Sequence, residues 1–404
     1  MRIPTVGIIA EYNPLNNGHI YQIEKARNLS HAEAVVVVLS SNFVQRGEPS
    51  LIDKWARAQT ALNTGVDLVL ELPVVFSAHN AGVFANAATD ILGSTGIVTH
   101  LSFGLEDPDW ESDIILSILV EEPSEFKSLL KDSLNKGLSF VEARATALDK
   151  MVPGSSAKLR KPNNTLALSY MTRLYQKKWD MEPLLIERIG RGYNDESLSE
   201  YSSSTAIRNS IFRGQIHDAL THLPLESSEI VKNAITNGKA CTDYTNLWNA
   251  LRVTLMRSKA EEISQIAEMV EGIEFKLKEI AITSSSFQEW VKKCSSKRYP
   301  LGRIRRHAIH TILGLNHWEN RAFQRLGPAY IKVLAMNKKG RQLLQEMKQT
   351  SVLPIITRCG DASRISDYAR KIMNYELLAC ELWEQLIPNG EFGKEHTRKV
   401  IIEE

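Results

Sequence analysis

Six consecutive apolar residues at 34–39, AVVVVL, constrain this chain more than any other feature. β-Branched side chains are stiff and suit a pleated surface. A run without polar alternation must be covered on both faces, which is the signature of an interior parallel strand. Around it the sequence changes period repeatedly. Residues 5–10 (TVGIIA), 67–73 (DLVLELP) and 99–104 (THLSFG) read as three further strands. A helical pattern begins near Gly18, and residues 51–63 and 81–92 are helical as well, with a loop at 40–49. Strands alternating with helices through short turns predict an α/β fold with a doubly wound parallel sheet of Rossmann type. Ligands of such sheets sit beyond the carboxyl ends of the strands. The chemically notable residues fall there: 13–19 after the first strand, Asn42 to Arg46 after the second, and Gly104 and Glu106 after the fourth.

Residues 111–150 continue as polar-faced helix, and Lys161-Pro162-Asn163-Asn164 opens another, with Pro at the first turn and Asn available as a cap. Residues 184–189 (LLIERI) read as a late strand of the same sheet, and 190–202, rich in Gly, Ser and Asp, as a mobile loop. From Ile211 onward no convincing strand pattern remains and the chain reads as mainly helical. A length of 404 residues exceeds one ordinary core. A boundary near Arg213-Gly214 therefore divides an α/β domain, residues 1–212, from a mainly α-helical domain, residues 213–404.

Composition excludes several classes. No run of 18 apolar residues crosses a membrane, and the first residues lack the charged and apolar regions of a signal peptide. Cys241, Cys294, Cys359 and Cys380 are scattered, with no CxxC pair and no His at ligand spacing. They read as reduced thiols of a cytoplasmic protein, and no metal site is expected. Charge is unevenly placed: 29 Lys and Arg face 22 Asp and Glu from Ile211 onward, against 20 and 25 before it. The densest segment, 292–307, holds Lys292, Lys293, Lys297, Arg298, Arg303, Arg305 and Arg306 with no acid. Tyr299 is interleaved among them, as if to stack on an unpaired base while the cations meet phosphates. Lys332, Lys338, Lys339 and Arg341 extend this strip, and His307 and His310 read as surface or capping residues.

The first turn, Asn13-Pro14-Leu15-Asn16-Asn17-Gly18-His19, joins a strand to a helix. Gly18 lets backbone approach a phosphate, the helix N-terminus faces an anion, and His19 supplies an imidazole donor. Positioned donors of this kind stabilise charge building on a transferred phosphoryl group. A plain capped turn fits the same residues. Ser203-Ser204-Thr205-Ala206-Ile207-Arg208 adds hydroxyls before a helix and an Arg in its first turns, a second phosphate-binding arrangement.

Together, in this order, the two segments resemble the HxGH and ISSTxxR elements of the nucleotidylyltransferase superfamily. Further stretches narrow the match: EYNP at 11–14, FVQRGEP at 43–49, KWAR at 54–57, GVDLVLELP at 65–73, KPNN at 161–164 and AYIKVL at 329–334. Over nearly the whole length the chain resembles the bacterial tRNA(Met) cytidine acetate ligase family. The resemblance implies an HxGH-type nucleotidyltransferase domain followed by a tRNA-binding helical one. It also implies that ATP and acetate form acetyl-adenylate, which acetylates N4 of the wobble cytidine of elongator tRNA(Met). Carried over, the ATP site takes in Ile9, Ala10, Glu11, Tyr12, Asn13, Pro14, Leu15, Asn16, Asn17, Gly18, His19, Ile20, Tyr21 and Gln22. Gly104, Asn163, Arg188 and Ile189 follow, and Ser203, Thr205 and Arg208 complete the phosphate grip. His19, Asn16 and Arg208 carry the catalytic roles, while Gln45 and Arg46 face acetate or cytidine. Mg²⁺ accompanies the triphosphate, without a carboxylate pair to cage it.

The chain departs from the family pattern at four positions: Asn16 stands where His is expected, Ser41 and Ala335 where Gly is, and Leu105 where a small polar residue is. Asn can donate a hydrogen bond to a phosphate oxygen but carries no positive charge and cannot change its protonation, and losing one imidazole donor in such a site costs on the order of 2–4 kcal/mol of transition-state stabilisation. Two other classes stay open: an adenylyltransferase acting on another small acceptor, and an RNA-binding homologue with weakened catalysis.

Overall fold

The structure is a computed structural model and describes residues 3–106, 112–159, 161–188 and 201–404. Its strands are β1 (Thr5–Ala10), β2 (Ala34–Ser40), β3 (Phe43–Val44), β4 (Glu48–Pro49), β5 (Leu68–Leu72), β6 (His100–Leu105), β7 (Glu182–Glu187), β8 (Ile331–Met336), β9 (Ile355–Ile356) and β10 (Ile401–Ile402). The main sheet runs β10-β8-β5-β2-β1-β6-β7, with β9 beside β8. β2 is central and buried throughout, as its composition requires. Its side chains alternate between two cores. Val35, Val37 and Leu39 join Ile23 and Ala26 of the helix Asn17–Leu29 and Trp55, Ala58 and Ala61 of the helix Lys54–Asn63. Ala34, Val36 and Val38 pack on the other face with Phe84, Ala88 and Ile91 of the helix Ala81–Ser94. That period of two is why a continuous apolar run is needed: both faces are covered.

From β1 the chain moves outward through β2 and β5, then returns to place β6 and β7 on the other side of β1. The strand order reverses at β1, and the carboxyl ends of β1 and β6 diverge around a crevice. The loop expected at 40–49 contains a two-stranded antiparallel hairpin, β3–β4, which stands over this crevice.

The sheet is not wholly parallel, and the second half of the chain is not wholly helical. β8 pairs antiparallel with β5, and β10 pairs parallel with β8, so residues beyond 213 complete the sheet begun by the first hundred. Lys332 interrupts the apolar pattern of β8 and hides it from periodicity. Its ammonium is buried and held by Glu395 at 2.7 Å and Glu71 at 3.3 Å. Lys54 joins the same network through Glu71 at 2.5 Å, Glu376 at 2.7 Å and Glu395 at 2.9 Å. Lys332 therefore does not extend the basic strip. The remaining segments after 213 are helical, among them Leu301–Leu313 and Asp367–Glu384. The mobile-loop reading of 190–202 falls largely on residues outside those described. No described helix is long and apolar enough to cross a membrane, and all four cysteines are buried free thiols.

Candidate active site

The crevice at the switch point is a cleft of about 1070 Å³, counting its open mouth. The end of β1 and the turn after it form its floor through Ile9, Ala10, Glu11, Tyr12, Asn13, Asn16, His19 and Gln22. Gly104, Asn163 and Arg188 form one wall; Ser203, Ser204, Thr205 and Arg208 form another; Gln45 and Arg46 hang over it from the hairpin. Two segments nearly two hundred residues apart thus face one space. Pro14, Leu15, Asn17, Gly18, Ile20 and Tyr21, expected in the ATP site, do not line it. Asn17 to Tyr21 belong to a helix, so only the face carrying His19 and Gln22 turns toward the strand ends. Leu15 is buried instead in the core beneath. Ile189 lies outside the described residues.

His19 and Asn16 form a reciprocal cap at the start of the helix Asn17–Leu29. The Asn16 side-chain oxygen accepts from the His19 backbone N–H at 3.1 Å, and His19 Nδ1 accepts from the Asn16 N–H at 3.0 Å. Because Nδ1 is an acceptor, the neutral ring carries its proton on Nε2. Burial, with the Arg188 charge adding to it, lowers the His19 pKa to about 3. The ring is a neutral donor at physiological pH, set edge-on to Tyr12 with centroids 5.0 Å apart.

Asn16 has a second task that the sequence did not disclose. Its side-chain amide donates to the Ser202 carbonyl at 2.9 Å and to Ser204 Oγ at 3.2 Å, and Ser204 in turn donates to the Pro14 carbonyl at 2.9 Å. Both amide protons are committed to clamping the two cleft-lining segments together. The expected direct donation from Asn16 to a phosphate is therefore replaced, in this conformation, by positioning.

Arg208 is similarly engaged. It is buried, donates to the Asn13 carbonyl at 2.5 Å, and pairs with Glu48 at 3.0 Å. Glu48 raises its pKa further, against the opposing effect of burial, which is the largest single influence. Ser203 caps the helix Ser204–Phe212 by accepting from the Ala206 N–H. Arg188 donates to Asn163 Oδ1 at 3.0 Å, and the Asn163 amide donates to Glu106. Asn163 is thus the hinge of a Glu106–Asn163–Arg188 chain at the ends of β6 and β7. A Cβ on Gly104 would stand 3.0 Å from Arg188 Cγ, so glycine there seats the arginine stem.

Ser204, one of the hydroxyls noted before the helix, also lines the cleft, as do Phe84, Phe103, Leu166 and Tyr170, which sequence reasoning did not select. One signal was available: Asn163, Leu166 and Tyr170 are spaced i, i+3, i+7 and share a helix face. Phe103 packs on Tyr170 with ring centroids 5.6 Å apart. Of the four departures from the family pattern, only Asn16 lines the cleft. Ser41 is buried and donates to Glu376 at 2.7 Å, and Leu105 and Ala335 are core residues.

The basic segment is divided rather than continuous. Lys292, Lys293, Lys297 and Arg298 are exposed at the end of the helix Phe287–Cys294 and just after it. Arg298 pairs with Glu271 and Lys293 with Glu289. Arg303 lies over the Tyr299 ring, 4.5 Å from its centroid. Tyr299 is itself buried, with its hydroxyl on the Val270 carbonyl, so it is a packing residue and not a base-stacking platform. Arg305 turns inward to Glu48. Arg306 is partly buried, and burial lowers its pKa. His307 and His310 are fully buried, not on the surface, because the helix Leu301–Leu313 packs that face on the core.

Comparison with known proteins accords with this geometry. The family model described as HIGH nucleotidyl transferase matches residues 3–398. The tRNA(Met) cytidine acetate ligase of Syntrophomonas wolfei is 35% identical over 395 residues, covering 95% of each chain. That of Caldanaerobacter subterraneus is 36% identical over 394 residues, covering 96% of this chain and 97% of its own. The crystal structure of Thermotoga maritima TmcAL bound with alpha-thio ATP superposes with a TM-score of 0.93 at 30% identity, covering 99% of both chains. Its apo form gives 0.95 at 31%. With a shared fold, full-length coverage and identity above 30%, this chain belongs to the HIGH nucleotidyl transferase family and, within it, to the tRNA(Met) cytidine acetate ligases.

Proposed function

We propose that this chain is an ATP-dependent acetate ligase that makes acetyl-adenylate and acetylates N4 of the wobble cytidine of elongator tRNA(Met). The observation that carries this reading is the single cleft into which the His19 turn and the Ser203–Arg208 segment both open, in a chain that matches the ligases end to end. ATP lies over the end of β1. In the first step an acetate oxygen attacks the α-phosphorus and pyrophosphate leaves. His19, donating from Nε2, stabilises the charge that builds on the phosphate oxygens, and the hydroxyls of Ser203 and Thr205 add donors nearby. Arg188, held by Asn163, supplies positive charge at the opposite wall. In the second step the cytidine N4 amine attacks the acetyl carbonyl, AMP departs, and the amine gives up a proton. The apolar wall of Phe84, Phe103, Leu166 and Tyr170 keeps water from the mixed anhydride between the steps.

Mg²⁺ would arrive on the triphosphate. Among the described residues no group of three His, Cys, Asp or Glu could hold a metal ion without the nucleotide. Residues from 213 on supply the tRNA surface, with Lys292, Lys293, Lys297 and Arg298 meeting phosphates from the exposed side. The setting is the cytoplasm, where tRNA and ATP occur together. Exchange of labelled pyrophosphate into ATP tests the first step. It should require acetate and fall on the order of 100- to 1000-fold in His19→Ala; exchange indifferent to acetate would point to a different acceptor.

A further inference from the structure

Glu48 lies between the nucleotide cleft and the basic helix. Its side chain is 6% exposed and binds two arginines from different parts of the chain. Arg208, from the phosphate-facing helix Ser204–Phe212, meets one oxygen at 3.0 Å. Arg305, from the basic helix Leu301–Leu313, meets the other. Beyond Arg208 the connection reaches the Asn13 carbonyl in the first turn at 2.5 Å. Arg305 keeps a third of its side chain in solvent, where an RNA phosphate has access to it.

The turn of the hairpin that carries Glu48 is held from two sides. The Gln45 N–H donates to Glu11 Oε1 on the cleft floor at 2.9 Å. Gly47, at φ +72°, lies so close to the backbone of Arg305 and Arg306 that any Cβ would collide with it. The turn of the hairpin is thus packed directly on the backbone of the basic helix on one side and tied to the cleft floor on the other.

We infer that Glu48 is a positioning residue through which tRNA binding on the basic helix and ATP binding in the cleft are energetically coupled. This rests on the reading of the chain as a tRNA ligase. A phosphate that recruits Arg305 competes with Glu48 for the guanidinium. The released carboxylate is then left to Arg208, with the Arg46 charge beside it, and holds Arg208 and the Asn13 turn in one arrangement. Coupling of this kind is reciprocal: nucleotide tightens tRNA binding by the factor with which tRNA tightens nucleotide binding.

The test measures affinity for a non-hydrolysable ATP analogue with and without elongator tRNA(Met), and for the tRNA with and without the analogue. It uses the wild type, Glu48→Gln and Arg305→Met, each checked for folding by circular dichroism and melting. Arg305→Met breaks the same link from the partly exposed side, should the Glu48 variant fail to fold. The wild type is expected to show the same factor in both directions, about fivefold or more, and each folded variant to bring it within about twofold of unity while still binding nucleotide. Full coupling in the folded variants, or a wild type that acetylates tRNA without coupling, would overturn the inference. A wild type that binds tRNA and loses coupling in the variants, yet never acetylates, sinks the ligase reading and sustains this one. A wild type that binds no tRNA overturns both.

Discussion

The His19 ring carries its proton on Nε2 because Nδ1 is occupied by the Asn16 N–H, and burial keeps the ring neutral. Such a donor does not need to titrate to work. His19→Ala should therefore lower turnover on the order of 100- to 1000-fold. The wild-type pH–rate profile should show no inflection near the ordinary histidine pKa of 6.5 that the variant abolishes. The same burial affects stability. His19, His79 and His307 have pKa values lowered to about 3, 4 and 3, with burial the largest cause in each. Below about pH 6.5 the unfolded chain binds protons that the folded chain refuses, so stability is full above that pH and is lost as pH falls toward 4. Melting temperatures measured across that range should fall with pH, and less steeply in His307→Gln. Asn16→Asp keeps the helix cap but removes both donors that clamp Ser202 and Ser204 and adds a negative charge beside the phosphates. Melting should change little, while the dissociation constant for ATP rises by about tenfold or more, a loss of about 1.4 kcal/mol. At this scale the sequence picked out residues from two distant segments that the fold brings to one cleft, because two motifs in order are specific. It could not reveal that Asn16 and Arg208 spend their donors on the protein, since their partners Ser202 and Glu48 are far away in the chain.

At the scale of elements, the legible parts were those whose pattern is local. β2 announced itself by covering both faces, and the helix Pro162–Lys177 by its proline at the first turn. β8 did not, because Lys332 is tolerated inside it only through Glu71 and Glu395, which come from β5 and the short helix Lys394–Thr397. The basic segment misled in a similar way: charge was legible, but which cations face outward depends on the packing of the helix Leu301–Leu313. Binding of tRNA should show this division. Lys292→Ala, Lys297→Ala and Arg298→Ala should each weaken binding and reduce the slope of log affinity against log salt by about 1 for every phosphate left without its cation. Tyr299→Leu should leave that slope unchanged, since the ring is buried under Arg303.

Over the whole molecule, two halves that composition separates are joined in one core. The sheet begins with β1 and is completed by β8 and β10, and the Lys54–Lys332–Glu71–Glu376–Glu395 network fastens the helix Asp367–Glu384 to it. A fragment of residues 1–212 should accordingly fail to fold cooperatively by calorimetry. Lys332→Ala, which leaves buried carboxylates short of a counter-charge, should cost about 3–5 kcal/mol in denaturant unfolding. The division of labour proposed for the two halves is thus one of surfaces, with cleft and basic face carried by a shared scaffold. This scaffold moves an acetyl group from acetate to a tRNA base with ATP as the activating reagent, and it does so with Asn16 in place of the motif histidine. Incubation with ATP, radiolabelled acetate and unmodified elongator tRNA(Met), followed by nucleoside analysis, tests it most directly. Label in N4-acetylcytidine, dependent on ATP and reduced on the order of 100- to 1000-fold in His19→Ala, is the expected result; nucleotide bound but no label on the tRNA would rule out acetyl transfer by this chain.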